Sequence, residues 1–408
     1  MSAPNPASQF GSSESRPRAR SVVFSTEAIA RTDLEQRLTL GDQPPELLVL
    51  HGSADAEEEL VRLAGEARAV FPETTVIGCT AEGVLADDHE YEEASAIVAL
   101  AVGLPGADLT TVAVDFLATR EGHAYVGWPD RADLWQGVRG VLALGDPFSF
   151  PMDAWLDRMG DDMPGLPIIG GMCSGGHEPG GSCLLLDQEV KRQGAVLALL
   201  RGDFEFHALV SQGCRPIGPV ATVTNVEQNV LLELDERPAL RLLHDLFQTL
   251  PTSEQASFRH GLQIGILLDD HPTATNEDSV LVRNVVGCDS ESEGIVVADR
   301  LQPGQRVRFH LRDEAAASAD MAAQLRAAQS RLGTSPTAGL LFTCNGRGTR
   351  LFSAPHHDAL SVRKQWPGLP LVGCQAAGEI GPVGERSFVH GHTASLALLA
   401  PTSPKTID

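Results

Sequence analysis

Gly339-Leu340-Leu341-Phe342-Thr343-Cys344-Asn345-Gly346-Arg347-Gly348 opens the stretch on which the reading of this chain turns. A polar segment ending at Trp366-Pro367-Gly368 leads to its second half, Leu369-Pro370-Leu371-Val372-Gly373-Cys374-Gln375-Ala376-Ala377-Gly378-Glu379-Ile380-Gly381. Short apolar runs bounded by Gly and Pro read as buried strands. The spacing therefore predicts two strand ends lying close together, each carrying glycine, cysteine and one charged side chain. A crossover connection returns the chain parallel to itself, so both polar loops reach the same sheet edge.

The arrangement occurs twice more. Leu47 to Leu50 runs into His51-Gly52-Ser53, and Val76-Ile77 enters Gly78-Cys79-Thr80-Ala81-Glu82-Gly83. Val141 to Leu144 runs into Gly145-Asp146-Pro147, and Ile168-Ile169 enters Gly170-Gly171-Met172-Cys173-Ser174-Gly175. Each copy places two aliphatics before G-x-x-x-x-G at the end of a strand–helix–strand unit, the mark of an internal structural repeat. A glycine in any one copy is equally explained by sharp turning or close strand packing.

The chain of 408 residues has room for two or three domains. A net charge of −23 argues against a nucleic-acid partner and against an anionic membrane. No stretch approaches the roughly 20 apolar residues that span a bilayer. Residues 1–20, rich in Ser, Pro and Arg, lack the apolar core of a secretory signal and read as a disordered tail. Seven scattered cysteines fit reduced thiols in a cytoplasm.

Between the crossover units the pattern changes to period two. Ala94 to Val102 and Leu109 to Phe116, joined by Gly103-Leu104-Pro105-Gly106, read as a hairpin-like pair, and Cys183 to Leu186, Ala195 to Leu200 and Phe204 to Val210 as a meander. Val220 to Val226 and Asn229 to Leu234 form another pair. Asp235 is placed to cap a helix over Glu236 to Leu250, and Ala315 to Leu332 forms a second one. The fold class expected is mixed α/β (α+β): two related halves of mixed, largely antiparallel sheets covered by helices, with repeated strand–helix–strand units. The halves are residues 21–228 and 229–400, with a polar tail at 401–408.

Gly171-Met172-Cys173-Ser174-Gly175 has the form of a cysteine nucleophile elbow, G-x-C-x-G, which needs a helix directly behind the nucleophile. Pro179 and two glycines follow instead, and no Asp and His partners are evident. The residues after the closing glycines, Val84, Gly176 and Glu379, exclude a phosphate-binding loop. No C-x-x-C occurs, so no metal site is expected. Thirteen histidines permit an axial haem ligand without selecting one. Arg347 and Arg215 sit beside Cys344 and Cys214 in Gly-rich strand-end loops, where a planar guanidinium suits a carboxylate, or else ties the loop to a carbonyl or to Glu379. In the expected pocket Cys344, Asn345 and Arg347 face Cys374 and Glu379. Arg347 holds an acidic group of the ligand, Asn345 adds direction, and Glu379 orients Arg347 or binds an amino group. Cys79, Cys173, Cys214 and Arg215 are further candidates at the equivalent turns.

With these motifs in place, the chain resembles the FIST family, named for F-box and intracellular signal transduction proteins. The N-terminal piece of the resemblance lies in Gly78 to Gly83, Gly145-Asp146-Pro147-Phe148, Ile169-Gly170-Gly171 and Gln212-Gly213-Cys214-Arg215-Pro216-Ile217-Gly218. Glu233 to Leu240 also fits. The C-terminal piece lies in Cys344-Asn345-Gly346-Arg347-Gly348, Gly378 to Pro382 and His392 to Leu399. The resemblance implies a stand-alone, bacterial-type cytoplasmic sensor with no catalytic residues. It implies a small-molecule ligand, an amino acid or related metabolite, and signalling through a separate protein. Some relatives are similar to haem-dependent nitric oxide sensors, which makes haem the alternative cofactor. A cysteine-dependent hydrolase or transferase is the alternative from another class.

Overall fold

The structure is a computed structural model, and it describes residues 18–25, 30–104, 106–120, 122–128, 132–268 and 280–402. Most of the expected tails, 1–17 and 403–408, lies outside the described residues. Arg18 to Arg20, read as the end of the tail, instead begin the first strand.

Three units share one plan. The first runs β1 (Arg18–Phe24), α1 (Arg31–Leu38), β2 (Leu47–Ser53), α2 (Glu57–Val70), β3 (Thr75–Ala81), a short hairpin of β4 (Val84–Ala86) and β5 (His89–Tyr91), and β6 (Ile97–Gly103). The second runs β7 (Asp108–Thr119), β8 (Gly122–Val126), β9 (Val138–Gly145), α3 (Met152–Asp162), β10 (Ile168–Met172), a hairpin of β11 (Leu184–Leu186) and β12 (Glu189–Lys191), and β13 (Ala195–Arg201).

Between the second and third units lie β14 (Phe204–Ser211), β15 (Cys214–Glu227), β16 (Val230–Leu234), β17 (Arg237–Pro238), α4 (Ala239–Thr249), α5 (Thr252–Gly261), β18 (Leu262–Leu267), β19 (Val280–Asp289), β20 (Gly294–Val297) and β21 (Arg306–Arg312). The third unit follows with α6 (Glu314–Arg331), β22 (Ala338–Cys344), α7 (His357–Gln365), β23 (Leu371–Ala376), a hairpin of β24 (Glu379–Val383) and β25 (Arg386–His390), and β26 (Ala394–Pro401).

Among the described residues the parallel pairs are β2–β3, β9–β10 and β22–β23, the three crossovers read from the sequence. The first glycine of each G-x-x-x-x-G has a steric cause. A Cβ on Gly78, Gly170 or Gly373 would lie 2.0, 1.7 or 1.7 Å from the carbonyl oxygen of Leu50, Ala143 or Leu341. Each of these is its own partner across the parallel pair. Any side chain there forces the two strands apart.

Each hairpin leaves its own unit. β4–β5 adds to β23 of the third sheet, β11–β12 to β3 of the first, and β24–β25 to β10 of the second. The sheets are therefore ordered β1-β6-β2-β3-β11-β12, β25-β24-β10-β9-β13-β7-β8 and β14-β26-β22-β23-β4-β5. The exchange is cyclic and ties the three units into one body. Their inner faces share a core in which Val49, Leu100, Leu142, Val196, Leu340 and Leu399 meet. Outer faces are covered by α1 and α2, by α3, and by α6 and α7. Strands buried on both faces explain the unbroken apolar runs at 47–50, 141–144 and 339–342.

A fourth, antiparallel sheet runs β15-β21-β18-β19-β20-β16-β17, and β16 also pairs with β15, so six strands close into a ring. Ile217, Leu231, Ile264 and Ile295 fill its interior.

The mixed, largely antiparallel sheets with outer helices are as expected. Two pairings are not. β6 and β7, read as a hairpin, belong to different sheets, since β6 pairs with β1 and β2, and β7 with β13 and β8. The supposed meander likewise splits, with β11, β13 and β14 going to three sheets. β6 and β13 each pair with a crossover strand of their own unit, β2 and β9, which separates them from the strands next to them in sequence. α4 begins at Ala239, because Asp235 and Glu236 take left-handed φ values of 49° and 61° in a turn that closes β16 onto β17. Strands also span the expected division near residue 228, since β14 pairs with β26 and β15 with β21.

Candidate functional site

The three glycine turns interlock at the carboxyl ends of the crossover strands. The Glu82 amide donates to Ser174 Oγ at 2.8 Å, and that hydroxyl donates to the Gln375 carbonyl at 2.5 Å. The Gln375 amide donates back to the Gly83 carbonyl at 2.8 Å. Candidate residues from these turns separate into three places.

The first place is buried. Cys79, Cys173 and Cys374 point into the shared core, with His51 beside them. His51 Nδ1 lies 3.4 Å from Cys79 Sγ, and Phe342 presents its ring edge to the imidazole. Burial lowers the His51 pKa to about 4, so the ring is neutral. The neighbouring Cys79 thiol and burial push Cys173 well above the ordinary thiol range. A hydrogen bond with Cys173 pulls Cys79 down, but Cys374 and burial outweigh it and Cys79 is raised as well. Thiols held protonated are poor nucleophiles. Cys173 is followed by a turn and not by a helix, so the geometry of a nucleophile elbow is absent.

The second place is the Cys344–Gly348 loop. Arg347 is fully buried, and Asp358 of α7 takes its fork, with Nε to Oδ2 at 2.7 Å and Nη2 to Oδ1 at 2.8 Å. Nη1 donates to the His392 carbonyl at 3.3 Å. Arg347 was expected to hold a ligand carboxylate, and an internal carboxylate occupies that role. Asn345 Nδ2 donates to Glu82 at 3.2 Å, and Arg350 pairs with the same carboxylate. Glu379 is also fully buried, on a strand of the second sheet, and its Oε2 accepts from the Thr393 amide at 3.0 Å and hydroxyl at 2.7 Å. Burial raises its pKa to about 8. Burial raises the Cys344 thiol to about 12. Cys374 does not join this group. Its partner across the parallel pair is Phe342, and its side chain belongs to the shared core.

The third place is open. A cavity of about 1010 Å³ lies between α6, β14 and the end of β24 on one side and the ring strands β15, β18, β19 and β21 on the other. Leu209, Val280 and Cys214 supply apolar wall, and Arg308, Asp320 and Arg331 supply charge of both signs. Asp320 accepts from the Gln212 amide at 2.7 Å. His310 lines the same space with Nδ1 on the Arg308 carbonyl at 3.0 Å, and burial lowers its pKa to about 4. Cys214 is raised to about 12, again by burial. Arg215 points elsewhere and is paired with Glu254 at 2.5 Å and Asp313 at 3.3 Å.

A smaller cleft of about 300 Å³ opens at the carboxyl edge of the first two units, and none of the residues expected to form the pocket in the C-terminal half lines it. Asp55, Glu82, Glu92 and Glu93 line it together with Ser174 and His177. Its carboxylates outnumber its one histidine, no Arg or Lys lines it, and Arg347 is not part of it.

Sequence reasoning missed Asp358, Asp320 and His310. Asp358 gives no local signal, because its partner lies on a separate loop. Asp320 and His310 become neighbours of Gln212 and Cys214 only through strands roughly a hundred residues apart in the chain. His51 did leave a signal. It occupies the register of Leu144 and Phe342 in the other two units, where an apolar residue fills the core.

A model of the FIST N domain matches residues 46–237, and one of the FIST C domain matches residues 239–382. The chain is 37% identical over 374 residues to an uncharacterized protein of Mycobacterium tuberculosis, covering 91% of this chain and 95% of that one. It is 35% identical over 384 residues to an uncharacterized protein of Mycobacterium bovis, covering 94% and 96%. The cavity walls come from both matched segments.

Proposed function

The chain belongs to the FIST family, whose domains serve sensing and signal transduction, and on that premise we propose that it takes up one small ligand in the cavity between its three-unit body and its closed ring. The ligand is an amino acid or a closely related metabolite. The observation that carries this reading is the mixed wall, in which arginines and Asp320 face one space across an apolar floor. A zwitterion has its carboxylate and ammonium a few bonds apart, and such a wall answers both. The cleft at the carboxyl edge has four carboxylates and no Arg or Lys to answer a ligand's own carboxylate. A site at the seam between body and ring also suits a sensor, because closure on the ligand changes how the two meet.

A thermal-shift screen of amino acids and small carboxylates, followed by calorimetry, tests this. One compound should raise the melting temperature. Asp320→Asn keeps an acceptor for the Gln212 amide and removes the charge, and should weaken that compound by about tenfold or more. A screen without binders, or a variant that binds like the parent, contradicts the assignment.

The haem alternative also has a specific point of support. His310 is a neutral imidazole on the wall of the same cavity, and its Nδ1 faces the Arg308 carbonyl, which leaves Nε2 for an iron. The absorbance spectrum of the purified protein separates the two readings, since a Soret band belongs only to the haem form.

A further inference from the structure

Three of the five buried cysteines come one from each unit: Cys79 from β3, Cys173 directly after β10, and Cys374 from β23. The register of the three parallel pairs shows what is unusual about them. His51 lies opposite Cys79, Phe342 opposite Cys374, and Leu144 opposite Gly171. The second unit thus fills this level of the core with leucine and glycine. The first and third bring an imidazole and two thiols to it.

A ring nitrogen of His51 and the sulfurs of Cys79 and Cys374 all lie within 4.8 Å of one another. Cys173 is buried in the same core cluster but lies outside that group of three. His51 is 0% exposed and the three cysteines are no more than 2% exposed. His51 Nε2 has no hydrogen-bond partner. A polar nitrogen left unsatisfied in a dry core is costly, and buried polar groups of this kind are rare without a reason. Core packing alone gives none, since leucine serves at the equivalent place in the second unit.

We propose that His51, Cys79 and Cys374 form a closed site for a thiophilic d10 metal ion, Zn2+ or Cu+, at the point where the three units meet, with the neighbouring Cys173 as the thiol that completes a fourth position for Zn2+. Thiolate and imidazole donors select these ions over the hard, oxygen-loving ones. One imidazole and three thiolates are a common tetrahedral set for structural zinc. His51 with Cys79 and Cys374 alone is a three-coordinate set, which suits Cu+. On binding, each coordinating thiol releases one proton to solvent, and no oxidant or reductant is involved. Burial leaves no open coordination position, so the ion pins the units together and performs no chemistry on a substrate.

The full-length protein is unfolded with chelator and thiol reductant, then refolded with Zn2+, Co2+ or Cu+ alone and passed through a desalting column. We expect about one ion per chain, and with Co2+ a thiolate-to-metal charge-transfer band. Cys79→Ser and Cys374→Ser should each cut metal retention by about tenfold or more. Cys288→Ser, at an exposed thiol, should leave it unchanged. Cys173→Ser separates the ions, since it removes the fourth donor for Zn2+ and leaves the three-coordinate set for Cu+. Where a core variant does not refold, the parent decides. A parent that regains its circular dichroism yet retains none of the three metals overturns the site. So does a folded Cys79→Ser protein that keeps the parent's stoichiometry.

Discussion

Glu379 and Asp358 both lie near the buried Arg347, and their carboxyl groups respond in opposite directions. Burial alone would raise Asp358, but the bidentate arginine outweighs it and holds the group at about 2. Glu379 receives no such fork. Burial dominates, the two Thr393 hydrogen bonds offset it only in part, and its pKa rises to about 8. A carboxyl whose folded pKa lies above its unfolded value of 4.5 contributes stability that is fully present below that value. The contribution is lost as pH rises toward 8. Glu379→Gln mimics the protonated acid and keeps an acceptor for Thr393, so the variant lacks this site's loss of stability over the window. Urea unfolding of both proteins from about pH 5 to about pH 8.5 checks this. The variant should gain on the parent steadily as pH rises, and parallel curves would refute the assignment. Arg347 stood out in the sequence as a planar cation in a glycine-rich loop. Its partner was not legible there, because only the docking of α7 brings Asp358 to it.

At the scale of strands and helices, the glycine turns carry the argument. Gly170→Ala would set a methyl group 1.7 Å from the Ala143 carbonyl oxygen, so β9 and β10 must separate. We expect a loss of about 3 kcal/mol or more, read from the urea midpoint at constant slope. Gly65→Ala is the control. Gly65 lies in α2 with nothing within 4 Å of its added Cβ, and helix propensity there favours alanine. Equal stability of the two variants would remove the steric account of the motif. The crossovers were legible because two-sided burial writes an unbroken apolar run followed by glycine. The destinations of the hairpins were not. β4–β5, β11–β12 and β24–β25 carry the same local turn signals whichever sheet receives them, and the cyclic exchange is set by packing between units.

For the molecule as a whole, the fourth sheet is the part most separate from the three-unit body. It closes on its own core and meets the body along β15, α6 and the strands that bound the large cavity. Among the described residues no helix is long and apolar enough to cross a membrane. The glycine turns drew attention to the carboxyl edge, whereas the broader and chemically mixed space lies at the seam, which is built from segments that no single motif contains. Hydrogen–deuterium exchange on the protein with and without the tightest amino acid from the screen separates the two locations most directly. The account predicts added protection in β14, the start of β15 and the face of α6 that carries Asp320, with the carboxyl-edge loops at Ser53, Glu82 and Ser174 unchanged. Protection confined to those loops, with the seam unaffected, would contradict it.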